Sequence, residues 1–287
     1  MPDRPKRVAA IHDLSGFGRC SLSVILPTLS VMGVQVCPIP TAVFSTHTGG
    51  LGEVQRRDLS DFTLPCLEHY QKLGLEFECV YSGFLSSEEQ IDHCLKTFSA
   101  YPDALAVVDP VMGDHGRLYR TITPQMRARL TELVRVADVI TPNLTEACML
   151  LKIPYHTEGL SRSDARSLLA RLSELGPNDV VITGVPMASG KLANIGYDRK
   201  NNSFWCIDCD YVPVSYPGTG DLFASVLTGG FLTGDSLPMA MGRATYFVER
   251  CIKTTFSYSS DTRYGVMLEK ELAALIDRQN VKDFSLL

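Results

Sequence analysis

The chain has 287 residues, 45% hydrophobic and 21% charged, an ordinary globular composition that suits one large α/β domain or two modest ones. A formal net charge of −5 leaves no basic footprint for nucleic acid or an anionic membrane surface. No apolar run approaches the ~20 residues of a membrane span, and the opening MPDRPKRVAAIHDLSG lacks a signal peptide's apolar core, so a cytoplasmic protein with no membrane partner is expected.

Short apolar runs come first and recur: RVAAIH (7–12), VQVCPIPTAVFS (34–45), ECVYSG (78–83), ALAVVDP (104–110), DVITPN (138–143) and DVVITG (179–184). Between them lie helical stretches such as SSEEQIDHCLKTFSA (86–100) and TPQMRARLTELVRVA (123–137). The latter sets Met126, Leu130, Leu133 and Val134 on one face, away from its arginines. Continuous apolar strands joined by helices predict a mostly parallel sheet covered on both faces, an α/β layered fold. The basic stretch Arg162–Arg171 reads as a solvated helix face without aromatic interleaving. The rhythm then changes: residues 191–212 predict two antiparallel strands around a polar turn at Asp198–Asn202, followed by helices to about residue 278. No repeat or linker interrupts the chain, so a single domain over 1–287 is expected.

Nine scattered cysteines, an odd number with several in apolar runs, suggest reduced core thiols. The one Cys206-x-x-Cys209 lies in a strand-like stretch without a second pair, which favours a structural reading over zinc or redox chemistry.

In open parallel sheets, ligands bind beyond the carboxyl ends of the strands. The residues closing the runs should therefore meet at one rim: His12-Asp13, Ser45 to Thr48, Ser82-Gly83, Asp109, Thr141/Asn143 and Thr183-Gly184. The clearest chemical signal is Gly218-Thr219-Gly220-Asp221 before an apolar helix. Glycines let backbone N–H groups approach an anion, and the helix adds free N–H groups and its positive dipole end, a phosphate cradle. An acid there makes sense if Asp221 takes a proton from an attacking hydroxyl, although a first-turn acid favoured by the dipole reads equally well. Phosphoryl transfer also wants Mg²⁺, for which Asp109 and Glu146 are candidates. On local sequence Asn143 with Glu146 reads more simply as a capping box, and Asp109 and Asp114 also suit turns around Pro110 and Gly113. Gly16-x-Gly18-x-x-Ser21 is a near miss for a dinucleotide fingerprint; the alternative is that Asp13 and Ser15 bind a small polar substrate. His47, between two threonines, reads more simply as a hydrogen-bonding residue than as an acid or base.

Taken in order, IHDLSG, FSTHTGG, VYSGF, VVDPVMGD, ITPNLTE, VVITG and PGTGDLFAS resemble the ribokinase-like superfamily, and within it the vitamin B6 kinases, over residues 8–235. The resemblance implies a three-layer fold, a central mostly parallel sheet flanked by helices on both faces, in a homodimer. It implies an ATP- and Mg²⁺-dependent transfer to the 5′-hydroxymethyl of pyridoxal, pyridoxamine or pyridoxine, with a monovalent cation such as K⁺ an option. Asp221 would be the general base, with Gly218, Thr219 and Gly220 the anion hole. Asp109 and Glu146 would organise Mg²⁺, and Asn143, Thr183 and Gly184 would line the nucleotide phosphates with Thr219. Asp114 and Tyr119 would belong to a flexible loop closing over ATP. Asp13, Ser15, His47, Thr48 and Phe84 would face the vitamer. Many pyridoxal kinases carry serine where this chain has Asp13, and an acid there is typical of hydroxymethylpyrimidine kinases, so that substrate is the alternative. A non-catalytic B6-binding protein is the other. MGDHGRLYRTIT (112–123) lacks the lid cysteine that one branch of the family sets against the aldehyde.

Overall fold

Strand side chains alternate between the two sides of a sheet, so a strand apolar on both sides needs a cover on each. The computed structural model, which describes residues 4–155 and 158–287, supplies both covers. The chain runs through β1 (Arg7–Phe17), α1 (Leu22–Val31), β2 (Gln35–Thr46), β3 (Arg56–Asp58), α2 (Ser60–Lys72), β4 (Cys79–Ser82), α3 (Glu88–Ala100) and β5 (Leu105–Val108). It continues through β6 (Gly113–Asp114), β7 (Arg117–Leu118), α4 (Pro124–Val136), β8 (Val139–Ile140), α5 (Leu144–Leu151), α6 (Arg162–Ser173) and β9 (Asp179–Pro186). It ends with β10 (Leu192–Asp198), β11 (Ser203–Cys209), α7 (Thr219–Leu232), α8 (Leu237–Ser257) and β12 (Ser285–Leu286).

One sheet takes the order β12-β11-β10-β9-β8-β5-β4-β1-β2-β3. From β2 to β9 neighbouring strands are parallel, and antiparallel strands finish both edges. Val8 and Ala10 of β1, Tyr81 of β4, Val107 of β5 and Val181 of β9 join one core with α1, α7 and α8. Their alternates Ala9, Ile11, Val80, Val108 and Val180 join the other core, with α3, α4, α5 and α6. This is the expected three-layer α/β fold. The predicted strands and the helices at 86–100 and 123–137 form within a few residues of their expected bounds, and β10 and β11 make the expected antiparallel pair.

The tail differs from expectation. Beyond α8 there are only single 3₁₀ turns at Thr262–Tyr264, Leu268–Lys270 and Leu272–Leu275, followed by β12. Gly265, at φ 73°, breaks any helix there, and the segment is held by separately buried Val266, Leu268 and Leu275 rather than by a continuous apolar face. The stretch between DPVMGD and α4 is no open loop either: β6 and β7 pair as a short ribbon.

Candidate active site

The helix α7 opens without a side-chain cap. Its N-cap Gly218 is left-handed at φ 78°, and a Cβ there would overlap the Arg19 carbonyl oxygen, so both conformation and close approach require glycine. A Cβ at Gly220 would meet nothing, which leaves the first-turn N–H groups open to an anion. The Thr219 hydroxyl donates to the Tyr216 carbonyl at 3.0 Å.

Asp221 is not a solvated dipole acid: it is 8% exposed. Its Oδ2 accepts the Ser21 N–H at 2.8 Å and the Cys20 thiol at 3.3 Å. Burial raises its pKa, and these two donors hold it back. Asp13 stands on the other side of Ser21. Its Oδ1 accepts the Ser21 hydroxyl at 2.6 Å and its Oδ2 the Ser15 hydroxyl at 3.0 Å. Burial pushes Asp13 up to about 6, with the Asp221 charge adding to it and the two serine hydroxyls opposing.

A second pair of acids lies at the end of β5 and the start of α5. Asn143 Oδ1 accepts the Glu146 N–H and Glu146 Oε2 accepts the Asn143 N–H, both at 2.9 Å, so the capping box that the sequence offered is formed. The other oxygen, Oε1, reaches across to the Met112 N–H at 3.0 Å. Glu146 thereby ties α5 to the ribbon strand, helped by Asn143 Nδ2 donating to the Gly113 carbonyl and the Gly116 N–H donating to the Thr145 hydroxyl, each at 2.9 Å. Asp109 is buried nearby. Burial first, then the Glu146 and Asp221 charges, hold it protonated well above the usual carboxylate range, and burial likewise raises Glu146.

Asp13, Asp109, Glu146 and Asp221 thus form one electrostatic group, and no lysine or arginine among the described residues relieves any of them. No set of three or more His, Cys, Asp or Glu side chains among the described residues is arranged to enclose a metal ion. Asp109 and Glu146 offer two buried carboxyl groups, the number that Mg²⁺ uses when waters and substrate phosphates supply the rest of its ligands. Ser82 Oγ at the end of β4 and Thr141 Oγ1 just past β8, on either side of β5, are buried and add oxygen donors.

The remaining expected residues occupy the same rim in different ways. Thr183 bridges Asn143 across the strand ends, and Gly184, at φ 63°, gives its N–H to Asn194 Oδ1 at 2.9 Å. His47 is committed at both nitrogens: Nδ1 accepts the Gly49 N–H at 3.0 Å, so Nε2 carries the proton and donates to the Arg263 carbonyl at 2.5 Å. It pins the 47–50 turn to the first 3₁₀ turn, the hydrogen-bonding role that the sequence favoured. Thr48 is exposed, and Phe84 is half-buried, edge-on to Phe44 at 6.2 Å between centroids. Asp114 accepts the His115 N–H at 2.8 Å within the ribbon turn, and Tyr119 is exposed.

Sequence reasoning missed Cys20, Thr145 and the Met112 N–H, and saw Ser21 only as a small residue in a failed fingerprint. Their partners are 29 to 201 positions away, so no local pattern marks them.

A family model described as phosphomethylpyrimidine kinase matches residues 26–265. A pyridoxal kinase of Arabidopsis thaliana is 31% identical over 246 residues, covering 80% of this chain and 75% of its own. A Bacteroides thetaiotaomicron protein provisionally assigned as a phosphomethylpyrimidine kinase, crystallised with pyridoxal, is 43% identical with a TM-score of 0.94 over 99% of this chain and 100% of its own. The pyridoxal kinase of Lactobacillus plantarum superposes with a TM-score of 0.87 at 30% identity, over 94% and 96% of the two chains.

Proposed function

The chain belongs to the phosphomethylpyrimidine kinase family, with a ribokinase-like fold, and on that premise we propose that it is a kinase that uses ATP to phosphorylate the 5′-hydroxymethyl group of a B6 vitamer. One observation carries the chemistry: a buried carboxylate without a cationic partner, Asp221, stands in the first turn of a helix whose N-terminus is left open by Gly218 and Gly220.

In this reading the vitamer's hydroxymethyl oxygen attacks the γ-phosphorus, the bond from that phosphorus to the ADP oxygen breaks, and Asp221 accepts the hydroxyl proton. Gly218, Thr219 and Gly220 stabilise the transferring group through N–H donors already aligned before reaction. Asn143, Thr183 and Gly184 flank the nucleotide phosphates. Asp109 and Glu146 would hold Mg²⁺, which when bound supplies positive charge to the phosphate oxygens. The ribbon bearing Asp114, with Tyr119 just beyond it, covers the nucleotide side and limits water as a competing acceptor. Asp13, Ser15, His47, Thr48 and Phe84 bound the vitamer side. A single kinase domain assembled as a homodimer, as the sequence resemblance implies, completes this reading. Nine free cysteines with no disulfide among the described residues support a reducing, cytoplasmic setting.

The test is ADP release from ATP·Mg²⁺ with pyridoxal, pyridoxamine, pyridoxine and hydroxymethylpyrimidine offered separately. Release driven by a B6 vitamer is the expected result. The description of the matching family model favours hydroxymethylpyrimidine as the second reading, and release with that alcohol alone would adopt it while keeping the mechanism.

A further inference from the structure

Between β1 and α1 the chain turns a corner at Ser21, with φ 52° and ψ −133°. A residue with a Cβ holds such angles only where its surroundings over-determine them. Ser21 is the N-cap of α1, the position where a serine hydroxyl normally satisfies the helix's own N–H groups, yet its hydroxyl makes no capping bond. It donates instead to Asp13 Oδ1, while the Ser21 N–H donates to Asp221 Oδ2. The Ser21 carbonyl accepts the Val24 and Ile25 N–H groups at 2.9 and 3.0 Å, the start of α1. Every polar group of this 3%-exposed residue is therefore committed, and to three different parts of the fold.

The neighbours hold the same corner. The Cys20 thiol shares Asp221 Oδ2. The Arg19 N–H donates to the Tyr264 carbonyl at 3.3 Å, and the Arg19 guanidinium pairs with Glu269 at 2.8 Å. The Arg19 carbonyl occupies the space that a Cβ on Gly218 would need, so the corner is pressed directly against the anion loop. Asp13, 4% exposed, is already engaged at both oxygens by the hydroxyls of Ser15 and Ser21. Whatever edge it turns to a substrate, it also anchors Ser21. Both bonds to the Asp221 carboxylate fall on Oδ2, and Oδ1 makes no hydrogen bond among the described residues.

We propose that Ser21 is a positioning residue of phosphoryl transfer: its hydroxyl, anchored on Asp13, holds a strained corner whose N–H fixes Asp221 Oδ2, leaving Oδ1 as the oxygen that receives the proton. The proposal rests on Asp221 being the base and adds the device that orients it.

Two variants at one position test it. Ser21→Ala keeps the N–H but loses the anchor while retaining the backbone cost, so the corner relaxes. A base misplaced in this way should lower kcat roughly ten- to hundredfold. The KM values for vitamer and ATP should stay within about twofold, because binding is not what is lost. Ser21→Gly also lacks the hydroxyl but adopts these angles without strain, and it should recover most of that loss. Equal loss in both variants would make the hydroxyl itself the functional group and overturn the proposal, as would no loss in either. A rise in vitamer KM with kcat unchanged would overturn it in favour of direct substrate contact. Thermal unfolding reads the same device without turnover: Ser21→Gly should melt above Ser21→Ala, and equal midpoints would remove the strain on which the proposal stands. Absence of ADP release from the unsubstituted protein with every alcohol would defeat the kinase reading, while the melting comparison would still decide whether the corner is held as described.

Discussion

Helices α5 and α7 both begin at the acidic rim, and they begin in opposite ways. The α5 N-terminus satisfies itself: Asn143 and Glu146 form a reciprocal capping box, and the spare Glu146 oxygen reaches the Met112 N–H. The α7 N-terminus does not: its N-cap is a left-handed glycine with no side chain to offer, and the acid in its first turn accepts from the β1–α1 corner instead of from its own helix. A capped helix end has spent the donors that an anion would use, while an uncapped one keeps them. Two acids in the same position of a first turn therefore differ in kind. Glu146 closes its helix and anchors the ribbon, and Asp221 leaves its helix open and stands buried beside the opening.

The contrast can be broken most severely at Asp221. In Asp221→Asn the fold and ATP binding should persist, while vitamer-driven ADP release falls by about a hundredfold or more. Near-unchanged turnover would remove the base and with it the meaning of the open helix end. Gly218→Ala attacks the opening itself. A Cβ at φ 78° overlapping the Arg19 carbonyl should cost about 1–3 kcal/mol in denaturant unfolding and depress activity as well, because the corner that holds Asp221 must shift.

Asp13 provides a pH test on the same side. Its pKa is raised to about 6 from an ordinary 3.8, so between those values the folded chain holds a proton that the unfolded chain has released. Stability contributed by that proton is present at low pH and is lost as pH rises through about 6. Asp13→Asn should therefore be destabilised relative to the native chain less at pH 8 than at pH 4, by up to about 3 kcal/mol across that window. A pH-independent difference in unfolding free energy would show that Asp13 titrates alike in both states.

The smallest effects belong to α5. Asn143→Ala should cost about 1 kcal/mol of stability through the lost cap, measured by urea unfolding. Glu146→Gln keeps an N3 side chain able to serve the capping box but removes its charge. Its amide can accept from only one of the Asn143 and Met112 N–H groups, so it should also cost about 1 kcal/mol of stability, while raising the Mg²⁺ concentration needed for half-maximal ADP release several-fold. An unchanged Mg²⁺ titration would leave Glu146 with capping alone.

Much of this was legible in the chain. The parallel strands announce themselves because both sides of each are apolar, and α4 because Met126, Leu130 and Leu133 fall at helical spacing. The anion cradle is local too, since Gly218, Gly220 and the helix they open are contiguous. The ribbon at Gly113–Leu118 was less legible, being two residues a side and held by distant Glu146, Asn143 and Thr145. The tail beyond Ser257 read as helix because its apolar residues are frequent, although they are buried one at a time against other elements.

By itself, the sequence determined the layered fold, the open glycine-bearing helix start and the acids that close the strand ends, because each is written in contiguous residues whose periodicity and backbone freedom act locally. Only the tertiary structure decided that Asp221 is gripped through Ser21 and Cys20, that Asp13 anchors that grip, and that Glu146 is at once a cap and a tether. Those facts depend on groups 8 to 201 positions apart in the chain being brought within 2.6–3.3 Å of one another, and such a hydrogen bond leaves no trace in the local spacing of either partner.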